Sequence, residues 1–317
     1  MKKKTFCIIK IMLLIIISLT IPLSTGLISS YEHDIILWFP TDMQLASNRP
    51  DYHPKYWADA ISDTNNLSHV EYSVVLGDCI NGYPGHAYIP TWRECLWGWT
   101  TFYHYYDKLN CSQKNIIIGN HDIEPFLQGE YWFSYRNMSR LHTTDSCPYG
   151  NYTIKIGNIL IIALNCEYQL NGGYYTHQIG WLQGIIEKNI NKNIIILCHY
   201  PPYNIYNRYT QLQYIIEEES RQILDIINNN SNVVAYLHGH IHDNGGNHTK
   251  INNCVFIDCD SINKNNLSKS CYLLLKNDRK IIICRTFIHN TDSWDDEIKI
   301  ELKYFFKEES KELCGLN

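Results

Sequence analysis

Beyond Lys2 to Lys4, no stretch of this sequence gathers positive charge: 27 Lys and Arg stand against 32 Asp and Glu, a formal net charge of −5, with no basic stripe. Tight nucleic-acid binding needs a focused positive face, so a stable nucleic-acid partner is excluded. Beyond residue 26 the sequence also lacks any long apolar run, and a helix needs about 20 apolar residues to span a bilayer. The mature body is therefore expected to have no transmembrane span. Neither a repeat nor a Pro/Gly/Ser-rich linker divides the chain, which argues against an array of small modules. Charged residues are few, at 19%, against 45% hydrophobic; that balance excludes a disordered chain and supplies a large core. A single domain over residues 27–317 is the expectation, within the length that α/β domains reach.

The first 26 residues carry a targeting pattern. Lys2, Lys3 and Lys4 form a basic head, Ile11 to Leu23 forms an apolar run short for a membrane span, and Ser24-Thr25-Gly26 offers small residues for cleavage. Residues 1–26 are thus expected to be a signal peptide and the protein secreted or extracytoplasmic. The alternative is an uncleaved membrane anchor, in which Phe6 to Leu23 act as one stretch while Lys10 snorkels.

An oxidising compartment permits disulfides. Of 12 cysteines, removal of Cys7 with the signal leaves 11, and an odd number implies a free thiol or an intermolecular bond. Cys166 and Cys198 lie in apolar strand-like runs and are expected to be buried thiols. Cys95, Cys111, Cys147, Cys254, Cys271 and Cys314 fall nearer loops or strand ends, and their pairing stays open. Asn-x-Ser/Thr sequons at Asn66, Asn110, Asn137, Asn151, Asn229, Asn247 and Asn266 fit a glycoprotein.

Short runs rich in Ile, Val and Leu alternate with amphipathic stretches, the pattern of an α/β protein. Strands are predicted at Ile35 to Phe39, Tyr72 to Leu76, Asn115 to Ile118, Ile159 to Leu164, Ile194 to Cys198, Val233 to Leu237, Val255 to Asp258, Tyr272 to Leu275 and Ile281 to Arg285. The clearest helix runs from Gln211 to Ile227, with Leu212, Ile215, Ile216, Ile223 and Ile227 on one face. Tyr83 to Tyr106 is crowded with aromatic residues and predicts a helix and loop covering the sheet, or else a wall of a binding cleft.

Five segments place metal-binding side chains just after an apolar strand: Asp42-Met43-Gln44, Gly77-Asp78, Gly119-Asn120-His121-Asp122, His199-Tyr200-Pro201 and Gly239-His240-Ile241-His242. Loops at the carboxyl ends of strands in an open α/β sheet converge on one crevice. In an extended chain, His240 and His242 point to the same side. Imidazole mixed with carboxylate suits Zn, Mn or Fe, whereas an all-oxygen cage suits Mg or Ca. A carboxylate such as Asp78 can bridge two adjacent cations and screen their repulsion, and amide oxygens such as those of Gln44 and Asn120 are donors that add no negative charge.

These motifs, in this order, resemble the calcineurin-like metallophosphoesterase superfamily over Ile35 to Asp260. The resemblance implies a four-layer α/β/β/α sandwich of the metallo-dependent phosphatase type holding two divalent metal ions. Asp42, Gln44 and His242 are expected to hold one ion, Asn120, His199 and His240 the other, with Asp78 between. Many family members have His where this chain has Gln44, so Gln44 is taken as a variant ligand with a weaker hold. The iron branch of the superfamily has a tyrosine where Asn81 stands, so no tyrosinate–iron centre is expected.

The implied activity is hydrolysis of a phosphate ester, as monoesterase or diesterase, by a hydroxide bridging the two ions. His121 is the expected general acid and Asp122 its orienting partner. The substrate is expected to be a small molecule, a nucleotide or a phospholipid headgroup. The alternative from another class is a catalytically silent secreted protein that binds metal on the same fold.

Overall fold

A computed structural model of the chain describes residues 34–45, 53–67, 70–81, 91–122, 150–165, 176–202, 217–242, 248–262, 268–276, 280–289 and 291–304. All lie in the unit His33–Asn317. The signal-peptide reading of 1–26 falls outside them, as do Cys147, Cys166 and Cys314. No helix among the described residues is long and apolar enough to cross a membrane.

Twelve strands form two sheets among the described residues. The first contains β1 (Ile35–Phe39), β2 (Val70–Val75), β3 (Cys111–Ile116), β10 (Lys269–Leu275), β11 (Ile281–Ile288) and β12 (Ser293–Glu301), in the order β12-β11-β10-β1-β2-β3. The second contains β4 (Tyr152–Ile156), β5 (Ile159–Leu164), β6 (Asn193–Cys198), β7 (Val233–His238), β8 (His248–Ile251) and β9 (Cys254–Asp258), in the order β4-β5-β6-β7-β9-β8. β5, β6 and β7 are buried at every position. Such unbroken apolar runs belong to parallel strands covered on both faces.

The outer cover is helical. Helices α1 (Pro54–Asn66) and α2 (Trp92–Tyr106) pack on the first sheet through Trp57, Phe102 and Tyr106, with Trp57 stacked between Trp38 and Phe102. Helices α3 (Thr176–Lys188) and α4 (Glu217–Asn229) cover the second through Leu182, Ile186, Ile223 and Ile227. The result is the expected α/β/β/α sandwich. α2 opens with a capping box, Thr91 accepting from Glu94 N while Glu94 accepts from Thr91 N. The aromatic crowd is thus largely one helix on a sheet; residues 82–90 lie outside the described set. The predicted helix at Gln211 to Ile227 is described only from Glu217 and extends to Asn229.

A buried polar chain ties α1 to the first sheet. Trp38 Nε1 donates to Ser270 Oγ, which bonds His289 Nε2 at 2.8 Å, and His289 Nδ1 faces Asp63 Oδ2 at 3.0 Å. Of the sequons, Asn66, Asn110 and Asn229 are exposed. Asn151 is buried, its Oδ1 accepting from Asn165 N and Gln178 Nε2, so it cannot accept a glycan in the folded chain.

The connectivity decides where function sits. β1, β2 and β3 are parallel neighbours in one sheet, and β6 and β7 in the other. All five carboxyl ends feed the segments singled out in the sequence, so the two sheets deliver them to one edge of the sandwich.

Candidate metal centre

The backbone at these strand ends is unusual. Among the described residues, eight non-glycine residues have positive φ, and five of them are Asp42 (55°), Gln44 (43°), Asp78 (53°), His240 (71°) and His242 (53°). Asp and His tolerate this left-handed region better than most residues, and Gln does so less readily. Each such residue costs on the order of 1–3 kcal/mol and persists where its surroundings over-determine it. Here the surroundings are backbone bonds that lace the loops together: Asp42 N to Gly77 O at 3.1 Å, Gln44 N to Asp78 O at 2.7 Å and Gly239 N to His199 O at 3.1 Å.

The side chains sort into two groups that meet at one carboxylate. In the first, His242 Nε2 lies 2.7 Å from Asp42 Oδ1 and 3.2 Å from Gln44 Nε2. In the second, Asn120 Oδ1 lies 3.0 Å from both His199 Nε2 and His240 Nδ1. Asp78 touches both groups: Oδ2 accepts from Gln44 Nε2 at 3.0 Å, and Oδ1 is 3.3 Å from His199 Nε2. All seven predicted ligands therefore converge.

The donor set fits divalent ions. Asp42, Asp78 and His199 are buried and offer ligand atoms within 4.8 Å of one another. Burial pushes both carboxyls up, but His242 beside Asp42, and His199 and His121 beside Asp78, draw them below the ordinary carboxylate range. His199 shows what stands in for a metal. Its Nδ1 is 2.9 Å from Leu76 O while Nε2 faces two oxygens, so both nitrogens carry hydrogen. Burial opposes that charge, but Asp78 wins and raises the group to about 10. A divalent ion would take the place of the Nε2 proton.

Proton release on metal binding is accordingly expected. At pH 7 the metal-free protein holds a proton on His199, below its pKa of about 10, and a ligand imidazole must be neutral. Zinc titrated at pH 7 should give a heat that varies with the ionisation enthalpy of the buffer, and affinity should rise with pH up to about 10. A heat independent of buffer would contradict this assignment.

His121 stands beside the two groups with its N–H on Asp78 Oδ1 at 2.8 Å. Its Nδ1 lies 2.8 Å from Asn81 Oδ1, a carbonyl acceptor that fixes the hydrogen on Nδ1 and leaves Nε2 as the other reactive nitrogen. Asn81 thus meets the His121 ring at the place where Asp122 was the expected partner. The Asp122 carboxylate instead accepts from Gly119 N at 2.8 Å and Ile80 N at 3.1 Å, clipping the loops after β2 and β3 together. Burial and the nearby charge of Asp78 push Asp122 up to about 7.

Three supporting residues were not singled out as such from sequence. Asn81 holds His121; Thr41 Oγ1 donates to Asp42 Oδ2 at 2.9 Å; and Asn165 Oδ1 accepts from Ile118 N at 2.7 Å, fixing the approach to Asn120 from the other sheet. Only adjacency to motif residues marked the first two. His238, next to the motif, is buried with Nδ1 2.9 Å from Gly239 O.

The paired sheets deliver carboxylates, imidazoles and amides to one edge, a donor set suited to divalent metal ions. Residues 41–244 match the family model of calcineurin-like phosphoesterases, and the chain belongs to that family. Among solved structures it is similar to a dimetal phosphatase from Danio rerio, with a TM-score of 0.64 and 14% identity over 84% of this chain and 99% of that one. It is also similar to GAP50, described as the anchor in the inner membrane complex of Plasmodium, with a TM-score of 0.54 and 14% identity over 86% and 90%. A search of curated proteins found no match.

Proposed function

We propose that this chain is an extracytoplasmic hydrolase of phosphate esters, with one divalent ion held by Asp42, Gln44 and His242, a second by Asn120, His199 and His240, and Asp78 shared. The observation that carries this reading is the sorting of contacts into two groups joined by one carboxylate. Divalent ions in such a site, when bound, acidify water and offset charge on a phosphoryl group. The chain's own residues do the rest. Asp78 keeps the two halves of the site in register, and Gln44 and Asn120 contribute donors without adding negative charge. His121, oriented by Asn81, gives a proton to the departing oxygen.

His121→Asn tests the last step. It keeps a short polar side chain, so bound metal should be unchanged, while turnover falls about 10²–10⁴-fold on an alkyl phosphate and far less on a nitrophenyl ester, whose leaving group needs no proton. Equal losses on both would remove His121 from the acid role. Burial holds this imidazole below its ordinary pKa, so at neutral pH only a minority of the protein carries the Nε2 proton that the acid role requires.

A second reading, a silent metal-binding protein, draws support from the likeness to GAP50. Metal analysis of the purified protein, with rates on mono- and bis-nitrophenyl phosphate in manganese and zinc, decides between them. Hydrolysis that follows metal content supports the enzyme, and the ratio of the two rates assigns monoester or diester preference. Bound metal with no hydrolysis of either ester supports the silent reading. Secretion is tested by the amino terminus of protein recovered from the medium, expected just after Gly26.

A further inference from the structure

The inner face of the first sheet carries a row of thiols unconnected with the metal centre. In the β10–β11 ladder, Cys271 pairs with Thr286 and Leu273 with Cys284, so Cys271 and Cys284 are diagonal neighbours on one face. Both are buried, and their sulfurs lie 3.2 Å apart. A third buried thiol, Cys259, follows β9 of the other sheet and hydrogen-bonds to Cys271. The eight cysteines among the described residues are all free thiols in this structure.

We propose that Cys271 and Cys284 close a disulfide as the protein folds in an oxidising medium, leaving Cys259 as a thiol. A disulfide needs sulfurs ~2.05 Å apart, so closure brings them together by a little over 1 Å. Cys271 has two candidate partners, and the order of folding chooses between them. The ladder from Lys269–Ile288 to Leu275–Ile282 belongs to one antiparallel hairpin, which pairs locally and quickly. Cys259 reaches Cys271 only once the two sheets have docked.

The chemistry balances with a glutathione-type disulfide as oxidant. One thiolate attacks a glutathione sulfur and expels one glutathione thiolate; the second cysteine then attacks the mixed disulfide and expels the other. Two protein thiols are oxidised to one disulfide and one glutathione disulfide is reduced to two thiols, which take up the two protons released. After folding, the thiol–thiol hydrogen bonds and burial hold Cys271 and Cys284 far above the ordinary thiol range, and thiolate is the reactive form. The bridge therefore forms before the sheets dock, and once formed its burial keeps attacking thiolates away from it. Cys259, pushed up to about 11 by burial, stays inert. That suits its place, because the segment after it supports the metal centre: Ser261 Oγ donates to Asp42 O at 3.0 Å.

The test is peptide mapping of the full chain folded in a buffer of reduced and oxidised glutathione, with free thiols blocked under denaturing conditions and digestion done without reductant. The expected product joins the Cys271 and Cys284 peptides, disappears on reduction after denaturation, and persists in Cys259→Ser. Dithiothreitol should spare it in the native protein for far longer than in the denatured one. Recovery of both cysteines as blocked thiols, or of Cys271 joined to Cys259, overturns the proposal. None of these readings depends on the hydrolase activity.

Discussion

Asp78→Asn is expected to lower phosphate-ester turnover by about 10²–10³-fold or more, the largest loss from any single isosteric change at the centre. Asn fills the same space, but it removes the only charge shared by the two groups of ligands. Asp78 accepts from Gln44 Nε2 and His121 N and faces His199; an Asn amide nitrogen turned to either side would meet a donor. The metal-free protein should suffer too. Burial favours the neutral Asp78, but His199 and His121 outweigh it and hold the pKa below the unfolded value. Such a group contributes stability above the unfolded carboxylate pKa, near 4, and the contribution is lost as pH falls toward the folded pKa. Wild type should therefore exceed the variant at neutral pH, on the order of 3 kcal/mol if the buried pair behaves like others, and the gap should narrow in acid. Denaturant midpoints of both metal-free proteins across pH measure it. A variant within tenfold of wild-type turnover, with normal metal content, would show that Asp78 is not the shared ligand.

What was legible in the sequence follows burial and parity. β5, β6 and β7 are buried throughout and almost wholly apolar because helices and the opposite sheet cover both faces, and such runs announce themselves. The sequence pattern passes over β4, β8 and β12 and starts β3 late, at Asn115 to Ile118 rather than Cys111–Ile116. All four are sheet edges. An edge strand has one neighbour and a wetter face, so sequences such as YTIKI and HTKI alternate or dilute their apolar residues. The candidate ligands are readable because each follows a buried apolar run, including Ile116 to Ile118 at the end of edge strand β3. Asn81 and Asn165 are not, since each acts through a hydrogen bond to a distant loop, which no local pattern encodes. Cys271, which the sequence pattern puts near a strand end, lies inside β10; its significance is a cross-strand register that composition does not carry.

Gly77→Ala should show that the centre depends on backbone as much as on ligands. Gly77 has φ +98°, a conformation side chains rarely adopt, and a Cβ there would sit 2.7 Å from Gly119 N, 2.8 Å from Gly119 Cα and 2.9 Å from His199 Nδ1. The first two are main chain of a neighbouring loop and cannot swing aside. Strain of ~1–3 kcal/mol and overpacking of similar size predict a loss of about 2–6 kcal/mol. Relief requires the loops after β2 and β3 to part. That shifts Asp78 and Asn120 directly, and Asp42 through its bond to Gly77 O, so bound zinc and turnover should fall although no ligand has changed. Gly184→Ala on α3 is the control, because nothing lies within 4 Å of its Cβ. It should leave metal content alone and stabilise the helix by about 0.5–1 kcal/mol. If Gly77→Ala kept full zinc occupancy and lost no stability in the metal-free state, the left-handed turn would be incidental. The strained φ values of Asp42, Gln44, Asp78, His240 and His242 would then need an origin other than the tight packing of loop against loop.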